Sequence, residues 1–370
     1  MFFTASNLVH YLLSRNLIPL ASVVDGEFKV IEAGQRNRNF KVMQDARSGL
    51  FVKQVKTLDS LSITTLQREV ACYQFAQAFP AWAQYMPRLI CHDRARHSLC
   101  LELFVGAENL SEYFFRSATL SVQIAGLLGT VMATYHDAVV LASLQPEQVE
   151  QFRQQIPWIL SFTEAPAGAT GGAIAFIDFL NKNAELPRNL QRLRQDWRVD
   201  RIIHGDMKWD NCMVFPDADG VLQLKIIDWE LLDLGDGSWD VAGILQAYLV
   251  HLVNSTVKSD VLDTFKEEDV LRILSENASP IFSSIQAFWR NYCVTLMIAE
   301  NEVEGYFLRC VEFAAARLVL TSFEWSCQLT YLTRHSQIML LLSHQMLLDP
   351  ARAGRDLFGV TKSKEEGSIT

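Results

Sequence analysis

A polar loop enclosed by apolar runs is the feature that most restricts how this chain can fold. Ile202-Ile203 precede the loop His204–Asn211, and Cys212–Val214 follow it. A second apolar run leads to Ile226-Ile227-Asp228-Trp229-Glu230. Short apolar runs that flank a polar segment favour buried strands, which hold the side chains of the loop in fixed directions. We therefore expect a strand, a polar loop and a hairpin over residues 201–228, with the hairpin turn at 216–220.

The loop carries residue types that suit phosphoryl transfer. Asp206 is placed to orient a hydroxyl group and accept its proton. Asn211, five residues later, and Asp228, at the end of the next strand, supply the oxygen ligands that magnesium prefers. Lys208 lies two residues after Asp206, where a cation can meet developing negative charge. Asp206 and Lys208 are the candidate catalytic residues, and Asn211 and Asp228 are the candidate metal ligands.

Length and composition restrict the class of protein. A chain of 370 residues is long for one compact domain, so two lobes are expected. Hydrophobic residues make up 49% and charged residues 20%, which excludes general disorder. A net charge of −9 gives no reason to expect nucleic acid as a partner.

Cysteine usage and the N-terminus indicate the cytoplasm. The seven cysteines are scattered and form no Cys-x-x-Cys pair, which is typical of free thiols in a reducing compartment. Residues 1–7 carry no basic segment and do not resemble a signal peptide. Apolar runs such as Ile338–Leu342 are interrupted too early to span a bilayer. We expect no membrane partner, and the oligomeric state stays open.

The first third of the chain predicts a small sheet lobe. Helical spacing over 6–15, with Ser6 or Asn7 as the cap, predicts an accessory helix within residues 1–20. A five-stranded antiparallel sheet with one crossing helix is expected over the lobe 21–105. Its strands are predicted at 28–31, 39–43, 50–55, 88–91 and 99–104, and its helix at 58–79.

The rest of the chain predicts a large helical lobe over 106–350, followed by a tail at 351–370. Helices are expected at Leu120–Val140, at 146–163 and at 173–197. The small-residue stretch Ala165–Gly172 is interpreted as a flexible loop.

The combination His-Gly-Asp-x-x-x-x-Asn and Ile-Asp-Trp-Glu resembles the aminoglycoside phosphotransferase and choline kinase branch of the protein-kinase-like fold. Gly235-Asp236 followed by Asp240 and Ala242 resembles that family's next motif. The resemblance implies an α+β fold with two lobes, ATP and Mg²⁺ as cofactors, Asp206 as the base, and Asn211 and Asp228 as magnesium ligands. It also implies a phosphotransferase with an alcohol group as acceptor.

The resemblance extends into the predicted sheet lobe. Lys53 lies inside an apolar strand, where a buried ammonium needs anionic partners. ATP phosphates and Glu69 of the following helix would provide them. The hairpin tip at Gly34 is expected, by position, to cover the phosphates. The segment around Glu102 and Phe104 matches the family's hinge, where backbone groups pair with adenine.

The sequence leaves the roles of several residues around the loop open. His204 is interpreted as structural, and Asp240 as an N-cap that braces the loop. Lys208 either contacts phosphate or faces solvent, and its Asp-x-Lys-x-x-Asn context is similar to that of protein serine/threonine kinases. Glu230 faces either the substrate or solvent.

The acceptor is not determined by the sequence. Only about a dozen residues separate Asp228 from the Asp240 helix, so the platform of an extended peptide substrate is missing. A small-molecule hydroxyl is the preferred acceptor. Serine or threonine in a peptide and a non-catalytic pseudokinase scaffold are the alternatives. In the family that the chain resembles, acidic and aromatic residues often form the acceptor pocket. Such residues of the second half are candidates here, although helical spacing predicts most of them to be core residues: Trp229, Trp239, Phe288, Trp289, Tyr292, Glu300, Glu302 and Glu304.

Overall fold

The computed structural model describes residues 2–24, 28–34, 37–45, 48–117, 121–150, 152–162, 170–217, 219–257 and 269–360. The chain divides into two compact units, Met1–Ala118 with Trp209–Leu232, and Thr119–Lys208 with Asp233–Thr370. In chain order the elements are α1 (Ala5–Ser14), α2 (Leu20–Val24), β1 (Lys29–Ala33), β2 (Arg38–Met43), β3 (Gly49–Gln54), α3 (Ser60–Ala76), α4 (Pro80–Ala83), β4 (Leu89–Asp93), β5 (Ser98–Glu102), β6 (Glu108–Asn109), α5 (Leu110–Ser117), α6 (Val122–His136), α7 (Ala138–Ala142), α8 (Pro146–Val149), α9 (Gly171–Lys182), α10 (Glu185–Gln195), β7 (Arg201–Ile203), β8 (Cys212–Pro216), β9 (Leu222–Ile226), β10 (Asp233–Gly235), α11 (Gly237–Thr256), α12 (Val270–Glu276), α13 (Ser279–Leu296), α14 (Glu300–Ser326), α15 (Arg334–Leu348) and α16 (Pro350–Phe358).

The first unit is built on a five-stranded antiparallel sheet in the order β1-β2-β3-β5-β4. On β2 the side chains of Phe40 and Val42 are buried, and Lys41 between them is exposed. This alternation follows from the two-residue period of a strand with one face in the core. The predicted five strands with one crossing helix are confirmed.

Helix α1 packs on this sheet. It buries Leu8, Tyr11 and Leu12 in a core cluster that includes Phe40 and Val52. Its cap differs from the prediction: the side chain of Thr4 accepts the Asn7 amide, and the Asn7 side chain accepts the Thr4 amide. Thr4 is the cap because its backbone is extended, whereas Ser6 and Asn7 already lie inside the helix.

Helix α3 begins after Asp59, whose carboxylate accepts the Ser62 amide, and it is shorter than predicted. Pro80 does not close it, because Pro80 instead opens α4. The buried positions of α3 include Glu69 among apolar neighbours. The helix therefore directs one carboxylate into the interior of the first unit.

A second sheet in the order β6-β8-β9 completes the first unit. The amide of Ile226 donates to the carbonyl of Tyr85 at 2.8 Å, which ties the β8–β9 hairpin to the segment after α4. These contacts group Trp209–Leu232 with the first unit. The lobe boundaries read from the sequence, 21–105 and 106–350, remain a prediction.

The second unit consists mainly of helices, with the short β7 paired to β10. Helices α6 and α13 approach closely at Gly129, where an added Cβ would lie 2.2 Å from the Phe288 carbonyl oxygen. The helix predicted to reach Val140 ends at His136. Asp137 has an extended backbone there and caps α7 through the Val139 amide.

Other predicted helices of the second unit also differ. Among the described residues of 146–163, α8 and a 3₁₀ turn at Trp158–Ser161 are the helical elements. The irregular backbone between them is stabilised by Asp233, whose carboxylate accepts the amides of Gln154 and Gln155. The stretch 173–197 forms two helices, α9 and α10, with a break at Asn183.

The small-residue stretch and the tail lie partly outside the described residues. Residues 165–169 are not described, and Gly171-Gly172 begin α9. The predicted tail starts later than residue 351, because α16 buries Leu357 and Phe358. Residues 361–370 are outside the described part of the chain.

The helical segment Val122–Ala142 is long and apolar enough, by length and composition, to cross a membrane. However, 61% of its most apolar window is buried inside the protein, as in the core helix of a globular protein.

Candidate active site

Lys53 on β3 is the centre of a buried ionic cluster in the first unit. Its Nζ donates to Glu69 Oε2 at 2.7 Å, to Asp228 Oδ1 at 2.7 Å and to Glu230 Oε2 at 2.8 Å. Lys53, Glu69 and Glu230 are all buried, whereas the Asp228 side chain is 39% exposed. The structure thus brings together the predicted lysine–glutamate pair and the predicted metal aspartate.

The charges of this cluster do not balance, and the pKa values reflect it. Burial lowers the pKa of Lys53, but the three carboxylates outweigh burial and raise it above its ordinary value. Burial raises the pKa of Glu69 to about 7; Lys53 opposes that rise, while Asp228 and Glu230 add to it. One ammonium cannot fully neutralise three carboxylates, so a further cation would find a favourable place here.

Asp228 and Asn211 are positioned by the β8–β9 hairpin. Asn211 ends a 3₁₀ turn before β8, is buried, and accepts the Ile227 amide through its backbone carbonyl at 3.0 Å. Asp228 follows with a left-handed backbone at φ +65°. This conformation is uncommon outside glycine and is a local strain often found at functional sites.

Oxygen atoms of Glu69, Asp228 and Glu230 all lie within 4.8 Å of one another, a spacing that a bound cation can bridge. These three carboxylates form an all-oxygen donor set, which suits a hard cation such as Mg²⁺. The residues present therefore fit a magnesium ion.

The sequence left open whether the side chain of Glu230 faces the substrate or solvent. It is 6% exposed and faces Lys53, and it also accepts Asn37 Nδ2 at 3.5 Å. The available signal was its place two residues after Asp228. A 3₁₀ turn at Trp229–Leu231 turns its side chain inward, which the sequence pattern does not reveal.

Gly34 lies between β1 and β2 with φ +105°, a conformation that favours glycine. An added Cβ would lie 2.6 Å from Asn39 Nδ2, so this position also has no room for a side chain. Gln35 and Arg36, at the tip itself, lie outside the described residues.

The predicted hinge follows β5. The amide of Glu102 donates to the Arg88 carbonyl at 2.9 Å, and the Phe104 carbonyl accepts the Ala107 amide at 3.2 Å. The Phe104 ring stacks on Phe215, with centroids 4.7 Å apart and planes 13° apart. Within the described part of the chain, the Phe104 N–H has no hydrogen-bond partner, whereas the Glu102 N–H is already used.

Asp206 lies in the second unit, on the loop after β7. Lys208 Nζ donates to Asp206 Oδ2 at 2.6 Å, and both side chains are partly exposed, by 42% and 33% respectively. The Asp206 amide donates to His204 Nδ1 at 3.3 Å. His204 is fully buried, which agrees with the structural role inferred for it.

Asp240 braces this loop from the first turn of α11. Its carboxylate accepts the His204 amide at 2.6 Å and the Gly205 amide at 3.1 Å. Burial would raise the pKa of Asp240, but the hydrogen bonds that its carboxylate accepts from His136 and from the His204 amide hold that pKa below its ordinary value. The bracing role is as expected, but the cap of α11 is Asp236, which accepts the Ser238 amide.

Arg317 on α14 is a second brace, which sequence reasoning missed. Its Nη2 donates to the Met207 carbonyl at 2.8 Å, and its guanidinium lies 4.8 Å from the centre of the Trp239 ring. Burial lowers the pKa of Arg317, and the charges of Asp206 and Asp240 oppose that effect. An arginine within the apolar run Ala314–Leu320 was the signal available.

Most residues considered for the acceptor pocket are core residues. Phe288, Trp289, Tyr292 and Trp239 are buried in the second unit, and Trp229 is buried in the first. Glu300 and Glu302 are exposed at the start of α14.

Solved structures share this fold. An ethanolamine kinase of Plasmodium vivax matches 93% of this chain and 89% of its own, with a TM-score of 0.54 and 13% identity. A choline kinase of Cryptosporidium parvum Iowa II matches 95% of this chain and 96% of its own, with a TM-score of 0.54 and 11% identity. The chain is therefore an α+β protein of the two-lobed, protein-kinase-like class, with a small antiparallel sheet lobe and a large helical lobe.

The family model described as the phosphotransferase enzyme family matches residues 27–269. The match covers more than half of the chain, so the chain belongs to this family. A curated relative, acyl-CoA dehydrogenase family member 10 of Mus musculus, is 27% identical over 134 residues, which cover 36% of this chain and 11% of that protein.

Proposed function

We propose that this protein transfers the γ-phosphoryl group of ATP, with Mg²⁺, to a hydroxyl group of a small-molecule acceptor. The observation that carries this proposal is the Lys53 cluster, in which one buried ammonium contacts Glu69 and Asp228 at 2.7 Å each. A buried lysine held by a helix glutamate is the arrangement that positions nucleotide phosphates in kinases.

Each predicted residue has a defined task in this proposal. Lys53, oriented by Glu69, binds nucleotide phosphate, and the hairpin that contains Gly34 covers it. The free N–H of Phe104 pairs with adenine, beside the ring stacked on Phe215. Because the Glu102 N–H is already used by Arg88, any contact of Glu102 with adenine is through its carbonyl.

Asn211 and Asp228 hold magnesium, since their oxygen atoms suit that ion. When bound, Mg²⁺ neutralises phosphate charge and orients the nucleotide. Asp206 orients the acceptor hydroxyl and takes its proton, and the loop that carries it is fixed by Asp240 and Arg317. Lys208, at 2.6 Å from Asp206, offers a charge that a transferred phosphoryl group can engage.

A peptide hydroxyl is the second candidate acceptor. It is favoured by Lys208, whose place in Asp-x-Lys-x-x-Asn is similar to that in kinases of serine and threonine. The names of the similar structures, choline and ethanolamine kinases, favour a small amino alcohol instead.

The test is magnesium-dependent phosphoryl transfer from ATP to a panel of amino alcohols, sugars and hydroxyl-bearing peptides, read by mass spectrometry. Asp206→Asn is expected to lower kcat by about 10²- to 10⁴-fold. Asp210→Asn is the matched control, because Asp210 is an exposed carboxylate in the same stretch. Equal activity of Asp206→Asn and the parent would remove Asp206 from the mechanism. No phosphorylated product from any acceptor, with ATP still bound, would favour the pseudokinase scaffold.

A further inference from the structure

Two cysteines face each other across neighbouring strands of the first unit. Cys91 on β4 is the register partner of Cys100 on β5, and both are free thiols. Partners in an antiparallel pair project to the same face, and here that face is the core cluster beneath α1. The β4–β5 register shifts between Leu89 and Cys91 and is regular from Cys91 to Asp93. In a regular antiparallel pair, opposite Cα atoms lie roughly 4.5–5.5 Å apart. A disulfide accepts Cα separations of roughly 4.4–6.8 Å, so this pair needs little movement to close.

The two thiols differ in environment. Cys100 is fully buried, whereas Cys91 is partly exposed. The neighbouring Cys100 thiol lowers the pKa of Cys91 to about 7, with Tyr11 and Arg15 acting in the same direction against burial and Asp93. The same thiol contact and burial raise the pKa of Cys100. Cys91 is therefore the less buried and the more easily ionised of the two thiols, and Cys100 is its neighbour.

We propose that Cys91 and Cys100 form an oxidation site that peroxide converts to a reversible cross-strand disulfide. In the first step the Cys91 thiolate attacks hydrogen peroxide, the O–O bond breaks, and Cys91 sulfenic acid forms with release of water after protonation. In the second step the Cys100 sulfur attacks the Cys91 sulfur, the S–O bond breaks, and the hydroxyl leaves as water with the Cys100 proton. The two thiols lose two electrons in total, and one peroxide is reduced to two waters.

This site is separate from the phosphoryl-transfer residues, so it does not depend on the proposed function. The cysteine pair is nevertheless connected to the proposed adenine-binding segment, because Cys100 lies on β5 and β5 continues into Glu102–Phe104. In the strand pairings of the described residues, Cys91 and Cys100 are the cysteines that lie opposite each other. The other five cysteines are Cys72, Cys212, Cys293, Cys310 and Cys327.

The test uses the full chain, treated with hydrogen peroxide, quenched in acid, alkylated and digested with trypsin. Cleavage at arginine places Cys91 in Leu89–Arg94 and Cys100 in His97–Arg116, each as the only cysteine of its peptide. The expected product is these two peptides joined, with a mass lower than their sum by two hydrogens, and separable again by a dithiol reductant. Cys327→Ser is the matched control, because Cys327 is also partly exposed, and it should give the same joined peptides.

Two variants separate the steps. In Cys100→Ser the sulfenic acid of Cys91 should persist and be trapped by a 1,3-diketone reagent. In Cys91→Ser neither the joined peptide nor a trapped Cys100 should form. The proposal is overturned if the parent chain shows Cys91 oxidised to sulfinic acid while Cys100 stays a free thiol. It is equally overturned if Cys100 pairs with another cysteine, or if both peptides are recovered fully alkylated after peroxide treatment.

Discussion

At the scale of single residues, the Lys53 ammonium holds the buried carboxylates of Glu69 and Glu230 and the partly exposed carboxylate of Asp228. Each carboxylate alone would be costly to bury, and each is tolerated because the cation is shared. The lysine is therefore required for folding as well as for the proposed chemistry, and the two requirements can be measured separately.

Lys53→Met is expected to lower the free energy of unfolding by about 3–5 kcal/mol, because it leaves buried carboxylates without their counter-ion. Denaturant unfolding measures this. Lys41→Met, on the exposed face of β2, is the matched control and should stay within about 0.5 kcal/mol of the parent. Equal stability of the two variants would contradict the structural role of the cluster.

Glu69 makes stability depend on pH. Its pKa is raised from 4.5 to about 7 in the folded protein, so the folded state binds more protons than the unfolded state between these values. The contribution of Glu69 to the free energy of unfolding therefore falls as pH rises from about 4.5 to about 7. Comparing unfolding of the parent and Glu69→Gln at pH 5 and pH 7.5 checks this. The parent should lose more stability than the variant, and parallel pH profiles would contradict the prediction.

At the scale of elements, the loop that carries Asp206 is held by the close approach of two helices. Gly243 of α11 has no room for a side chain, because an added Cβ would lie 2.1 Å from the Met207 carbonyl oxygen and 3.1 Å from Arg317 Cζ. The same carbonyl accepts the Arg317 hydrogen bond. Helices α11 and α14 therefore meet the loop at one backbone group.

Gly243→Ala is expected to lower the free energy of unfolding by about 1–3 kcal/mol, because the clash is with backbone that cannot rotate away. Gly305→Ala is the matched control within another helix. Nothing lies within 4 Å of its added Cβ, and the better helix propensity of alanine should stabilise by about 0.5–1 kcal/mol. Opposite signs for the two variants in denaturant unfolding are the expected result. A Gly243→Ala variant as stable as the parent would show that the approach of α11 to the loop is not tight.

Arg317→Met should separate activity from stability. Methionine fills much of the space and removes a buried guanidinium whose Nε and Nη1 have no partner among the described residues, so the free energy of unfolding should change by about 1 kcal/mol or less. The loop loses its bond at Met207, and kcat should fall about 10- to 100-fold because Asp206 is less well positioned. Arg290→Met, exposed on α13, is the control. If the loss of activity is explained by the fraction of the variant that is unfolded, Arg317 only supports the core.

At the scale of the whole molecule, ligand binding should be visible in stability. If the folded chain binds Mg²⁺ and ATP, a hundredfold excess over Kd stabilises it by roughly 2.7 kcal/mol. Calorimetric or fluorescence melting should show this shift in the parent and in Asp206→Asn, and show its loss in Asp228→Asn or on chelation of magnesium. Loss of the shift in both variants would mean that Asp206 and Asp228 do not have separate roles.

The five-stranded sheet and the strand, loop and hairpin of residues 201–228 could be predicted because their signals are local. Alternation such as that of Phe40, Lys41 and Val42 fixes a strand face within a few residues. Helix ends were less predictable, because backbone groups can be satisfied from a distance. The break after His136 depends on the cap at Asp137. The irregular segment 152–157 depends on Asp233, which is nearly 80 residues away in sequence.

The sequence alone determined the order and spacing of Asp206, Lys208, Asn211 and Asp228, since covalent geometry and short-range periodicity fix such offsets. Only the tertiary structure decided that Glu230 faces Lys53, 177 residues away, and that Arg317 holds Met207, 110 residues away. The physical reason is the same for both contacts. A buried charge is stable only where the folded chain brings it a partner. No pattern within one segment of sequence indicates which distant segment provides that partner.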